Sequence, residues 1–297
     1  MSLGALVGRM AGLLAELDRA GDPARFFLGT YLRTTRAVAA GLDRGLFEDA
    51  GWVTRWDVDF ADRYLDALAA HRADPAAPPG PWRRAFGADP GLRPEGHVLL
   101  GMNAHINFDL PQSLLAVIPP EHFADPAVLA RRHRDHGRID GILARRVGAE
   151  DLELRRAGSS RTPLDRLLTP ANRLAAVTFL RESRRRVWAN TGVLHAARLR
   201  GPEAYATCLA RLEAASTARI ADLLRPGPVL LRLAVHGFGV SVSPAPAPVP
   251  GGGAARTPAG WPRSAARGGA GGDPHDRGST SARRQGRPRD RGVVGDR

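Results

Sequence analysis

The chain contains no lysine: all 43 of its basic side chains are arginine. Without a side-chain primary amine there is no Schiff-base nucleophile and no amine general base. Arginine use runs evenly along the sequence, as a GC-rich coding sequence would produce, and carries no functional message of its own. A single cysteine, Cys208, rules out an intrachain disulfide and a cysteine-built zinc cluster. It stands in AYATCLARL, on an apolar helical pattern where cysteine behaves as a small core residue. Long apolar runs are also missing. The longest late one, PVLLRLAVHGFGVSV, is too short for a membrane span and includes Arg232 and His236. The first twenty residues lack a basic segment ahead of their apolar positions and are interrupted by acids. They read as an amphipathic helix and not as a leader, so a soluble, cytoplasmic protein is the expectation.

The net charge of +13 raises the question of nucleic acid. From Pro244 onward ten arginines face four aspartates, so +6 of that excess sits in the last stretch of the chain. Further in, RRHR at 131–134 and RRR at 184–186 are short clusters of the kind that decorate a solvated helix face. Aromatic residues make up only 6% of the chain, and no aromatic platform accompanies the basic clusters. Nucleic acid is not the favoured partner.

What the sequence does have is helical period. Leu3, Leu6, Val7, Met10, Leu13, Leu14 and Leu17 form one stripe, and Asp22-Pro23 opens a second helix. A third is expected after Thr54, on the spacing of Trp56, Phe60, Tyr64 and Leu68. PWRRAF begins a short helix, and a longer one runs from about Pro94 to Ile118 with Pro111 expected to kink or interrupt it. Asp125-Pro126 starts another. A loop containing GSSRTP leads to a pattern from Leu164 to Leu199, open to a split at Pro170, and Gly201-Pro202 precedes the last helix. No alternating run is long enough for a sheet. The expectation is an all-α domain over residues 1–242, an irregular bundle of about seven or eight helices. Residues 243–297, rich in Pro, Gly, Ala and Arg, form a tail too poor in apolar residues to fold.

The chemistry centres on GHVLLGMNAHINFDL. His105 and Asp109 are one helical turn apart within an apolar run, and Asn103 and Asn107 lie together on nearly the opposite face. An idle ionisable pair in such a context is costly, which makes His105 and Asp109 the candidate catalytic residues. RDHGRIDGIL repeats the spacing with His136 and Asp140 on the next long helix. If the two faces meet, His105, Asp109, His136 and Asp140 offer a first shell for a divalent metal such as zinc, iron or manganese. Alternatively they form two metal-free His–Asp pairs. Among so many arginines, a structural or solvated role suits His136–Asp140 better. Asn190, in VWANTGVL, joins Asn103 and Asn107 as a candidate to orient a small-molecule substrate, or simply neighbouring helices. Asp59, Asp62 and Asp66 share a helix face, but the tight DDxxD of magnesium-dependent isoprenoid cyclases is not met, so an exposed acidic face is expected. No P-loop, dinucleotide glycine fingerprint or Gly-x-Ser-x-Gly elbow is found.

With NAHINFDL, PWRRAF and VWANTGVL, the chain resembles a family of helical proteins of unknown function common in high-GC bacteria, over about residues 20 to 240. The resemblance implies an all-α domain and draws attention to Asn103, His105, Asn107 and Asp109, but brings no activity with it. Two functional expectations stand. One is a small-molecule enzyme, a hydrolase or lyase with or without a metal, built on His105 and Asp109. The other is a non-enzymatic binding or interaction module whose buried polar network fixes helix register.

Overall fold

Capping chemistry sets most of the helix starts. A computed structural model describes residues 1–156, 169–227, 233 and 236–243, and every regular element among them is helical. In α1 (Leu3–Ala20), Ser2 Oγ accepts the Ala5 N–H, and Gly21 closes the helix at φ 67°, a conformation glycine adopts without a Cβ penalty. Asp22 Oδ1 accepts the Ala24 N–H at 2.8 Å to open α2 (Ala24–Asp43). The helix expected after Thr54 begins earlier, as α3 (Ala50–Ala73), because Asp49 caps it through the Trp52 N–H at 2.8 Å. A short α4 (Gly80–Phe86) follows.

The NAHINFDL stretch does not break at its proline. Here α5 (Pro94–Ala104) passes through a π-helical turn (His105–Asp109) into α6 (Leu110–Val117) as one continuous rod. Pro111 has no N–H to donate, and its ring would crowd the carbonyl four residues back in a regular α-helix. The chain absorbs this by widening the preceding turn, with the Leu110 N–H reaching back to the His105 carbonyl. The Gln112 side chain satisfies the Phe108 carbonyl at 2.8 Å. After α7 (Pro120–Ala124) come α8 (Pro126–Arg156), α9 (Thr169–Leu199) and α10 (Pro202–Leu223). Pro170 lies in the first turn of α9 and does not divide it. The GSSRTP loop, residues 164–168 and the stretch from 244 onward lie outside the described residues.

The rod is the central element. Helices α2, α4 and α10 pack on α5, while α3 and α9 pack on α6. Trp52, Trp56, Trp82 and Tyr64 are among the largest fully buried side chains. At Gly101 the rod comes so close to α2 that a Cβ would lie 2.6 Å from Phe27 Cδ2. Only glycine lets the Phe27 ring take that position. Cys208 is buried in a second cluster with Phe108, Leu115, Leu194, Leu212 and Val240.

Helix α8 packs against α2, α7 and α9. It is strapped to the turn before α3 by Asp135, whose carboxyl oxygens accept the backbone N–H groups of Glu48 and Asp49 at 2.8 and 2.9 Å. Arg132 completes the strap, bonded to Asp49 Oδ2 at 2.5 Å and lying 4.9 Å over the Trp52 ring. The expectation of solvated basic clusters therefore needs correction. Arg132 of RRHR and Arg184 of RRR are only 3% and 4% exposed, and each meets a carboxylate of another element. Asp59 and Asp62 are partly exposed and pair with Arg63 and Arg9.

Candidate functional site

The rod delivers His105 into the space between α2, α3 and α4. There its ring stacks on Phe60 at 3.5 Å with a 6° interplanar angle, and Tyr31 meets it edge-on at 4.6 Å. Phe27, Tyr64 and Trp82 complete an aromatic cage. Within it, His105 Nδ1 lies 2.9 Å from Asp109 Oδ2, and the Trp82 indole N–H donates to that same oxygen at 2.8 Å. Both His105 and Asp109 are 3% exposed. A carboxylate only accepts, so Nδ1 carries the imidazole proton and the lone pair sits on Nε2. That Nε2 is buried and has no partner among the described residues.

Burial dominates the protonation of the site. It pushes the His105 pKa below the ordinary imidazole range, against the raising effect of Asp109, and so holds the ring neutral. Asp57, on the same helix as Phe60, is buried and pushed up to about 7 by desolvation, with its Oδ2 unpartnered. The Tyr31 and Tyr64 hydroxyls are likewise buried without a partner. Burial raises the Tyr31 phenol well above its usual value, and the nearby charges of Asp57 and Asp109 add to this. Tyr31 thus links the His105–Asp109 pair electrostatically to a second buried acid.

The Asp57 shift has a measurable consequence. Between the unfolded carboxyl pKa near 4 and the native value of about 7, the native state holds a proton that the unfolded chain has released. Stability contributed by the protonated form is full at low pH and is lost as pH rises through that window, by at most ~4 kcal/mol. Asp57→Asn mimics the protonated acid. Urea unfolding should find this variant more stable than wild type at pH 8 and equal to it at pH 4. Equal stability at both values would place Asp57 in contact with water.

A small cleft of about 30 Å³ lies beside the cage, lined by Phe27, His71, Trp82, Phe86 and His97 among others. Neither His105 nor Asp109 lines it. Phe27 and Trp82 do, and both rings also face His105, so they separate the imidazole from the cleft.

The second sequence pair does not join the first. His136 is buried, stacked on Trp56 at 5.5 Å and near Trp188. Asp140 turns instead to Arg184 of α9, whose Nη2 also donates to the His136 carbonyl at 2.6 Å. The condition for a four-ligand site, meeting faces, is unmet: α8 packs on α2, α7 and α9, and Asp140 is taken by Arg184. Among the described residues no group of three or more His, Cys, Asp or Glu side chains is placed to hold a metal. Burial, with Arg184 and His133, depresses the His136 pKa far below its usual value.

The asparagines converge elsewhere, on residues 238–242, a stretch without regular structure that follows a helical residue, His236, and Gly237 at φ 72°. Asn103 and Asn107 donate to the Phe238 carbonyl at 3.1 and 3.0 Å. Asn190 donates to the Val240 carbonyl at 3.0 Å and accepts the Val242 N–H at 3.0 Å. Tyr31, Tyr64 and Trp82, by contrast, belong to the cage, and the sequence patterns give neither them nor the buried Asp57 a part in the site. For Asp57 a signal exists: Val53, Asp57, Ala61, Tyr64 and Leu68 form one apolar stripe of α3, and a carboxyl group occupies a core position in it.

The family model matching this sequence spans residues 3–226, three quarters of the chain and all of the cage. The chain belongs to DUF5995, a family of unknown function. Comparison with curated proteins and with solved structures finds no match. Both the His105–Asp109 pair and the three asparagines fall inside the DUF5995 match, whereas the segment that the asparagines hold falls outside it.

Proposed function

We propose that this DUF5995 domain is a small-molecule enzyme in which His105 Nε2 acts as a general base. The observation that carries the reading is the unpartnered Nε2 of a buried neutral imidazole, oriented through Nδ1 by Asp109, itself held by Trp82. A base of this kind removes a proton from water or from a carbon acid, which places the reaction among hydrolases and lyases. Asp109 keeps the tautomer and stabilises the imidazolium that forms. Tyr31 and Tyr64, whose hydroxyls are buried without a partner among the described residues, supply donors beside the base. Substrate reaches the base from the cleft by displacement of Phe27, while Trp82 stays bonded to Asp109. No helix among the described residues is long and apolar enough to cross a membrane, and no step here requires one. A metal would find one imidazole and one carboxyl group, that of Asp109, whose Oδ2 already serves both Trp82 and His105; this reading assigns the chemistry to the side chains.

Nitrogen-15 NMR of the His105 ring tests the reading without a known substrate. A neutral ring with its proton on Nδ1 is the expected result, together with loss of turnover in His105→Gln across an ester, amide and carbon-acid panel. A proton on Nε2 sinks the proposal, because no lone pair would then face the cage.

The competing reading is that the pair fixes helix register, and the closed cage favours it. It forecasts that His105→Leu folds with equal or greater stability, since a buried polar network is often matched by apolar packing. It also forecasts that no substrate is turned over by wild type.

A further inference from the structure

The segment at residues 236–243 is helical at His236, left-handed at Gly237 and without regular structure from Phe238 on, and side chains of the rod, α9 and α10 reach its main chain along that length. Besides the Asn103, Asn107 and Asn190 donors, Asn107 Oδ1 accepts the Val240 N–H at 3.3 Å, so Asn107 and Asn190 each bracket the backbone with both ends of an amide. Glu182 Oε2 accepts the Gly239 N–H at 3.1 Å, Arg186 donates to the Gly239 carbonyl at 3.3 Å, and Arg219 donates to the His236 carbonyl at 2.9 Å. Contacts of this type do not read sequence. Sequence enters at alternate positions only: Phe238 packs in the main core and Val240 in the second cluster, with Val242 partly buried beside it, while Ser241 and Ser243 face outward.

Gly239 adds one steric condition, since a Cβ there would lie 2.8 Å from the Ser183 Cα. The residues that grip lie on the rod, α9 and α10 and all fall within the family match, whereas the segment they grip does not. From this division we infer that the groove between the rod, α9 and α10 is a receptor for an extended polypeptide. Its ligand has apolar side chains at alternate positions around a glycine, and residues 236–243 are its built-in occupant, exchangeable for a partner peptide of the same pattern. This is the mode in which main-chain hydrogen bonds supply affinity and alternate side-chain pockets supply selectivity, with side-chain amides taking the place of a sheet edge.

The test uses the full chain carrying Gly239→Ala, whose Cβ would lie 2.8 Å from both the Ser183 Cα and the Arg186 Cδ and so obstructs the built-in segment, and in parallel Val240→Asp, which makes its seat in the apolar cluster unfavourable and leaves the gripping side chains unchanged. The probe is a fluorescein-labelled peptide HGFGVSVS, followed by anisotropy. Binding should be at least about tenfold tighter to either variant than to wild type, where the resident segment competes at high effective concentration. It should fall at least about tenfold when Asn107→Leu and Asn190→Leu are added, or when the peptide is N-methylated at the residue matching Val240. Peptide binding to neither variant, with helical circular dichroism retained, overturns the inference. So does cooperative unfolding of both variants, which would make the segment an integral part of the fold. Binding that ignores N-methylation overturns the backbone-reading mechanism.

Discussion

Asp140→Ala is expected to lower the unfolding free energy by about 3–5 kcal/mol, the usual cost of removing one partner from a buried ion pair. Arg184 is 4% exposed, and desolvation already pulls its pKa down against the pull of Asp140. Without Asp140 its remaining partner among the described residues is the His136 carbonyl, a dipole and not a charge. The reverse change, Arg184→Met, should cost less. Asp140 keeps partial contact with solvent and can rehydrate once its partner is gone, and a thioether fills the vacated volume. The asymmetry is the diagnostic part: urea denaturation should find the alanine variant at least ~1 kcal/mol less stable than the methionine variant. Were Asp140 a partner of His136, the loss of Asp140 would change the His136 titration while leaving Arg184 untouched. Equal costs would show that Arg184 reaches water by another route.

Asp109→Ala should be as damaging, at about 3–5 kcal/mol, for a different reason. One carboxyl oxygen serves two buried donors, the Trp82 indole and His105 Nδ1, and its removal leaves both with nothing to donate to. Asp109→Asn separates packing from charge. Its amide oxygen can still accept from Trp82, so stability should recover by about half, to a loss of ~2 kcal/mol. The His105 pKa should fall further in Asp109→Asn, since Asp109 supplies the contributions that raise it. The sign is fixed by linkage. A histidine whose native pKa is depressed binds its proton less tightly in the folded state, so stability is lost as pH drops below the unfolded value near 6.5. Thermal melts of Asp109→Asn should therefore fall away more steeply toward pH 5 than those of wild type. A parallel fall in both would mean that Asp109 does not govern His105.

These two carboxylates mark where sequence reading succeeds and where it stops. The 3.6-residue period places the helices, and the expected starts at Asp22-Pro23, Asp125-Pro126 and Gly201-Pro202 match the structure because each carries its own local capping or proline signal. The start of α3 also carries a local signal, the Asp49 cap three residues ahead of Trp52, which the apolar spacing read from Trp56 onward passes over; Arg132 and Asp135, more than eighty residues on, hold that turn. His105 and Asp109 are legible as neighbours because four residues along one helix fix their proximity. His136 and Asp140 carry the same spacing, yet Asp140 is taken by Arg184 from 44 residues away. Local spacing permits a contact and does not decide between competing partners. The same limit applies to Trp82, which contributes from α4 a hydrogen bond that no periodicity announces. Asp57 is a milder case, written into the apolar stripe of α3 and recognisable by position alone.

The wide turn at residues 105–109 bears on all of this in one more way. A single added residue within a helix advances everything beyond it by roughly 100° of rotation, so the side chains of α6 are out of phase with those of α5. Ahead of the offset, Asn103 faces the segment at Phe238. Beyond it, Leu110 and Leu114 are fully enclosed. Chain length in this short interval therefore works as a setting in its own right, independent of which residues fill it. Deleting any one position would uncouple the two halves of the rod like a gear that has skipped a tooth. Every side chain could be kept, yet the leucines of α6 would swing away from their enclosure.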